Sequence, residues 1–302
     1  MPSNRNTSIA TAQNTERSQR LLAAQSRLYS DAKHIHDARV FIVVTLAITT
    51  AILAITLPSA RPIVAATGGT VAFLWSVVGS EREKRRRREA SNVQEEFDTQ
   101  VFALPWNEMA ADRPSPTLIA EAAARYRGNR TRDWYPDTRN VIRPLDVLIC
   151  QRSNLGWGAS MHRFYAACLT SCLIFIPAFG IAVSLLAKLS VVDALMVVLV
   201  PFLAAARELI EMIRANRESG ETKAKTEAKI LTLWNKGMQD PSTVTIDDCR
   251  AVQDRILSIR QSNAHVPDWL DGIRRNRNEA LMQQSAEHLI EDAALHGRIE
   301  NI

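Results

Sequence analysis

The chain has 302 residues, a formal net charge of +5 and a mean hydropathy of −0.11, averages that would describe an ordinary soluble protein. The averages conceal a segregation, because long stretches carry no charge while others are crowded with Arg and Glu. Four cysteines (Cys150, Cys168, Cys172, Cys249) form no CxxC or Cys/His pattern, and the first apolar run begins only at Val40, so neither a disulfide framework nor a cleavable signal peptide is expected.

Taken in chain order, residues 1–39 read as a cytoplasmic N-terminal stalk, helical from about residue 15, with Leu21, Leu22, Leu28 and Ile35 among polar residues. Residues 40–79 read as a first transmembrane hairpin. The uncharged run 40–57 extends about 27 Å as a helix, nearly the thickness of a hydrocarbon core. Pro58 and Pro62 then force a tight turn before the second run, 63–79. Residues 80–163 form a cytoplasmic loop region opened by the basic cluster 84–88. Residues 164–206 read as a second hairpin. Its third run, 164–187, contains Pro177 and Gly180, where a kink is expected; its fourth, 191–206, contains Asp193 and Pro201. Residues 207–302 form a cytoplasmic helical tail, broken at Pro241 and resumed by a helix that opens on Thr245 and Asp248 in near-capping-box spacing. The fold class expected is an all-α membrane protein with four transmembrane helices in two antiparallel hairpins and helical cytoplasmic extensions. Of the 37 Lys and Arg, only Arg61 and Lys188 fall in the two short turns. The positive-inside rule therefore puts both termini in the cytoplasm and the turns outside.

Patterns for catalysis are missing: there is no GxSxG, P-loop, GxGxxG or HExxH, and His34 and His36 point to different faces of a helix. No enzyme, cofactor or metal site is expected. On the first run Thr45, Thr49 and Thr56 share one stripe; they could line a wet pathway or bond back to their own helix. On the second, Ala65, Gly69, Ala72 and Ser76 form a small-residue stripe suited to close helix approach. The loop region interleaves basic and aromatic residues, of which Arg132, Trp134, Tyr135, Arg143 and Arg152 are the candidates for contacting a nucleotide, guanidinium forks on phosphate and rings on bases. The alternative is that they coat an anionic leaflet or pair with nearby acids.

The segments 95–107 (EEFDTQVFALPWN), 134–137 (WYPD), 150–157 (CQRSNLGW) and 266–269 (VPDW) resemble the SMODS-associated four-transmembrane family over almost the whole chain. Gly158 departs from the pattern, since an acidic residue is expected after Trp157. The resemblance implies a pore-forming effector of a bacterial anti-phage system. Such an effector acts in the inner membrane as a homo-oligomer, opened by a cyclic oligonucleotide that a cGAS/DncV-like nucleotidyltransferase makes. Its partners are then lipid, its own copies and that nucleotide, with no DNA or RNA. The other reading is a non-conducting scaffold that recruits a cytoplasmic partner.

Overall fold

A computed structural model describes residues 7–155 and 158–300, which leaves Trp157 outside the described residues. It is α-helical, with one isolated antiparallel bridge, Val141 to Ile299, among the described residues. The helices are α1 (Ile9–Ala12), α2 (Glu16–Thr56), α3 (Arg61–Phe102), α4 (Pro116–Arg125), α5 (Leu145–Ser153), α6 (Gly158–Leu186), α7 (Val191–Ala194), α8 (Val200–Gln239), α9 (Ile246–Ser262) and α10 (Asp268–Leu295). Local chemistry sets their ends. The Ser115 hydroxyl accepts from the Leu118 amide and Pro116 opens α4. Thr245 and Asp248 close a reciprocal capping box on α9, at 3.2 and 2.9 Å.

The chain divides into two compact units. The membrane unit comprises Asp31–Arg85 and His162–Glu218. Its surface is apolar outward: Phe41, Ile63, Phe175 and Leu186 are among many large hydrophobic side chains left exposed, a pattern that water would not tolerate and a bilayer would. Among the described residues three helices are long and apolar enough to cross a membrane: α2, α3 and the helix that carries the third run. The expected fourth span is not a single helix. α7 passes through a π turn, Leu195–Leu199, before α8 begins. Pro201 has no N–H to donate back along the helix, and a wider turn just before it accommodates that loss. Asp193 sits at the start of this segment: Ser190 caps the Asp193 amide and donates to its carboxylate at 2.9 Å. α6 continues through Pro177 and Gly180. It ends where Lys188, at φ +53°, takes the left-handed conformation and the Leu189 amide bonds back to Ser184.

The two hairpins are packed by small residues. α2 meets α3 where Thr50 lies against Gly68, and α6 meets the π turn where Gly180 lies against Val198. On α3, Ala65, Ala72 and Ser76 are buried as the small-residue stripe predicts. Gly69 is not the point of close approach: a Cβ there would meet nothing within 4 Å, whereas one on Gly68 would stand 2.0 Å from Thr50 Oγ1.

The core unit comprises Met1–Ser30, Arg86–Met161 and Ser219–Ile302. It holds a conventional hydrophobic core. α5 is buried from Leu145 to Gln151 and packs against α9 and α10. Around it lie Phe97, Phe102, Trp234, Ile256 and Ala293. Cys150 and Cys249 fill this core, while Cys168 and Cys172 on α6 are exposed. The buried pair serves as small apolar packing.

Candidate functional site

Two polar clusters stand out, one in each unit. In the core unit the centre is Asp98 of α3, which is wholly buried. It accepts from Tyr135 Oη at 2.6 Å, Gln253 Nε2 at 2.8 Å and Arg260 Nη1 at 2.6 Å. Glu95 lies three residues earlier on the same helical face and accepts from Arg250 at 2.6 Å and Gln253 at 2.8 Å. Asn154 donates to Tyr135 Oη at 2.9 Å; Gln151 reaches both the Cys249 carbonyl, at 2.8 Å, and Gln253. Phe97 and Phe102 flank the Tyr135 ring, with centroids 5.9 and 5.0 Å away. Burial, then Asp98, hold the Tyr135 hydroxyl well above its ordinary pKa, so it remains a donor. Burial and Asp98 also push the Glu95 carboxyl up, against the pull of Arg250.

The motifs at 95–107, 134–137 and 150–157 thus meet in one buried network centred on Asp98 and Glu95. A buried cluster of this kind fixes one arrangement of helices, because half of it would be worse than none.

The five predicted nucleotide contacts do not share an environment. Arg132 and Trp134 are exposed, the latter at 37%. Tyr135 belongs to the buried network. Arg143 is held by Asp146, at 3.0 Å, and the Phe102 carbonyl. Arg152 bonds to Glu227, at 3.0 Å, and to Ser285. Of the predicted lining residues, Thr45, Thr49 and Thr56 are exposed on the side of α2 that carries Phe41, Ile48 and Ile52. Thr56 bonds back to the Ile52 carbonyl at 3.1 Å. Within one chain they line nothing.

The second cluster, unforeseen from the sequence, lies in the membrane unit where apolar runs meet charged segments. Arg39, one residue before the first run, is buried between Glu83 of α3, at 3.1 Å, and Glu208 of α8. His36 lies 3.0 Å from Glu83, and Ser76 donates to Glu208. Arg207 donates to Ser76 at 2.9 Å and to Glu211 at 2.8 Å, and stacks over Phe73. Gly79 makes the room: a Cβ there would sit 2.7 Å from Arg39 Cδ. Three helices are therefore joined at one end of their apolar stretches by two buried carboxylates on one buried guanidinium. α6 is attached to α8 separately, by His162 on Asn216 at 2.8 Å. The signal that could have exposed this junction is a single Arg, Glu or Ser at the edge of each uncharged run, but nothing in the sequence pairs residues 169 apart.

These features define an all-helical membrane protein in which the same long helices, α2, α3 and α8, supply both the apolar unit and a tightly specified polar one. The chain belongs to the SMODS-associating 4TM effector domain family, which it matches over residues 7–289. It is also 23% identical, over 288 residues, to a protein of Bacillus cereus (strain VD146) described as a probable CBASS effector molecule; the match covers 90% of this chain and 95% of that one. No solved structure matches the chain.

Proposed function

We propose that the protein is a CBASS membrane effector that assembles with copies of itself and permeabilises the bacterial inner membrane when a cyclic oligonucleotide, made by a cGAS/DncV-like nucleotidyltransferase, binds its cytoplasmic core unit. The observation that carries this reading is the continuity of α2, α3 and α8: each runs unbroken from an apolar stretch into the core unit. On this reading a change of packing around their polar halves is passed to the apolar halves along the helices themselves. The buried Arg39–Glu83–Glu208 junction fits a resting gate, since such a junction is stable when complete and costly when one partner leaves.

On this reading both termini and the core unit are cytoplasmic, α7 with its π turn and the start of α8 completes a fourth span, and the exposed stripe of Thr45, Thr49 and Thr56 faces a pathway formed between copies. Arg132 and Trp134 are the members of the predicted nucleotide set with side chains open to a ligand; Tyr135, Arg143 and Arg152 act by holding the unit's shape. The role is that of an effector and not an enzyme. The test is dye release from liposomes carrying the purified protein, with and without a panel of cyclic di- and trinucleotides. Release by one nucleotide supports the reading. Tight nucleotide binding with no release from any liposome favours the non-conducting scaffold.

A further inference from the structure

Two ties fasten α6 to α8 at one end of the third apolar run. His162 lies 2.8 Å from Asn216, both buried, and Arg217 Nη2 donates to Thr170 Oγ1 at 3.3 Å. The second tie runs against expectation. An Arg at the edge of a span ordinarily turns its head away from the hydrocarbon. Asn216 is level with His162, so the Arg217 side chain must extend towards the run to reach Thr170. Thr170 lies six residues past Phe164, where the run opens, about 9 Å along the helix axis. The run 164–187 extends about 36 Å as a helix against a hydrocarbon core of about 30 Å, so its first turns lie in the interfacial layer, among lipid phosphates and glycerols.

The protein does not answer the positive charge gathered there. Arg163 of α6 and Arg214 of α8 are exposed and, among the described residues, paired with no carboxylate; Arg217 has only the Thr170 hydroxyl. Arg163 and Thr170, seven apart, lie on one face of α6, and Arg214 and Arg217, three apart, on one face of α8. Glu218 is exposed and pairs with none of them, so three guanidiniums face one loose carboxylate. Other exposed cations near the apolar runs are neutralised: Arg207 by Glu211 at 2.8 Å and Lys84 by Glu81 at 2.9 Å. Past the arginines the same surface turns apolar. Ile174, one turn beyond Thr170, is 66% exposed, and Ile210, on the stripe of Arg214 and Arg217, is 43% exposed.

A soluble anion would answer the arginines and leave the isoleucines bare. A lipid answers both, with phosphate oxygens on the guanidinium forks and acyl chains beyond them, and basic surfaces between spans take such headgroups.

We propose that Arg163, Arg214 and Arg217 form a site for the headgroup of an anionic glycerophospholipid whose acyl chains run along Ile174 and Ile210. Thr170 gives its own hydrogen to the Ala166 carbonyl at 2.8 Å and so stands as an acceptor that orients Arg217. Arg217 holds the phosphate; Arg163 and Arg214 select net negative charge, which a zwitterionic headgroup cancels with its own amine. The orientation proposed above enters only in assigning this lipid to the cytoplasmic leaflet.

The experiment is native mass spectrometry of the full-length chain, purified in a non-ionic detergent and mixed with equal amounts of dioleoyl-phosphatidylglycerol and dioleoyl-phosphatidylethanolamine. The parent is compared with Arg217→Gln, with Arg163→Gln/Arg214→Gln and with Lys225→Gln, a control about two turns further along α8 whose charge Glu221 already answers at 3.9 Å. The expected result is at least about tenfold more phosphatidylglycerol than phosphatidylethanolamine on the parent and on Lys225→Gln, and a preference at least about fivefold smaller on the other two. Equal retention of both lipids by the parent, or an undiminished preference in both site variants, overturns the site. Arg217→Lys keeps the charge and should keep most of the preference; a loss as complete as in Arg217→Gln would mean that the substitution acts on packing, and counts against the site. Displacement of phosphatidylglycerol by added inorganic phosphate would show a site for a soluble anion and overturn the lipid assignment. Dye release by cyclic nucleotides is scored on the same preparations, so this site and the nucleotide-triggered reading fail separately.

Discussion

Substitution of Gly68 by alanine isolates the packing of the first hairpin. The added Cβ would lie 2.0 Å from Thr50 Oγ1, 2.9 Å from Cγ2 and 3.0 Å from Cβ. Rotating Thr50 moves the first two atoms but not its Cβ, so no rotamer removes the clash. Carbon atoms rest at about 3.5–4.0 Å, and α2 and α3 must therefore separate by roughly a few tenths of an ångström at this point. Forcing one extra methyl into a close-packed contact costs about 1–3 kcal/mol. Gly69→Ala is the internal control: its Cβ enters open space and should be neutral, or slightly stabilising because alanine is the better helix former. The assay is SDS-driven unfolding in mixed micelles, followed through the fluorescence of Trp75 on α3. Thr50→Ala removes both rotatable atoms, so the double variant Gly68→Ala/Thr50→Ala should be less destabilised than the sum of the singles, a coupling of about 0.5–3 kcal/mol. Equal midpoints for Gly68→Ala and Gly69→Ala would falsify the helix phase assigned here.

Asp98→Ala should cost about 3–5 kcal/mol, since it leaves the Arg260 guanidinium buried with its ionic partner gone; a midpoint shift below 1 kcal/mol in detergent would remove the network from any structural role. Glu208→Gln should loosen the junction around Arg39, lowering the thermal midpoint and raising dye leakage without nucleotide; tight liposomes with an unchanged midpoint would show that the junction is not a gate. Lys223 titrates near 8 when folded against an ordinary 10.5, so the unfolded chain holds the extra proton between those values and stability rises with pH across that window. Below it the penalty is complete, at most about 3 kcal/mol, and Lys223→Gln should abolish both the penalty and its share of the rise in melting midpoint from pH 8 to 10.5; identical pH profiles for parent and variant would contradict the assignment.

The first three apolar runs were legible because absence of charge over 17 or more residues is a one-dimensional signal, needing no knowledge of what packs where. The capping box on α9 was legible for the same reason, its two partners being three residues apart. Phase was harder. A stripe drawn through Ala65, Gly69, Ala72 and Ser76 and one drawn through Gly68 differ by one residue, about 100° of helix, and steps of three and four fit both. Tyr135 was read as a stacking surface because Trp134 and several arginines surround it, yet Phe97, Phe102 and Asp98, the last 37 residues distant, draw it inside. Arg39 with Glu208 and Asp98 with Arg260 are pairings across 169 and 162 residues. Each of those residues alone resembles any solvated charge on a helix.

A nucleotide that opens such an assembly must discriminate sharply between its two states. Moving a two-state equilibrium from 1:99 to 99:1 needs about ten-thousandfold preference for the open form, about 5.5 kcal/mol. One charge-assisted hydrogen bond is worth about 1.5–3 kcal/mol, so about two to four such contacts must be made in the open form and be almost wholly absent from the closed one. A ligand held equally well in both states shifts nothing, however tightly it binds. A variant that weakens binding equally in both states therefore raises the nucleotide concentration needed for dye release without changing the release at saturation.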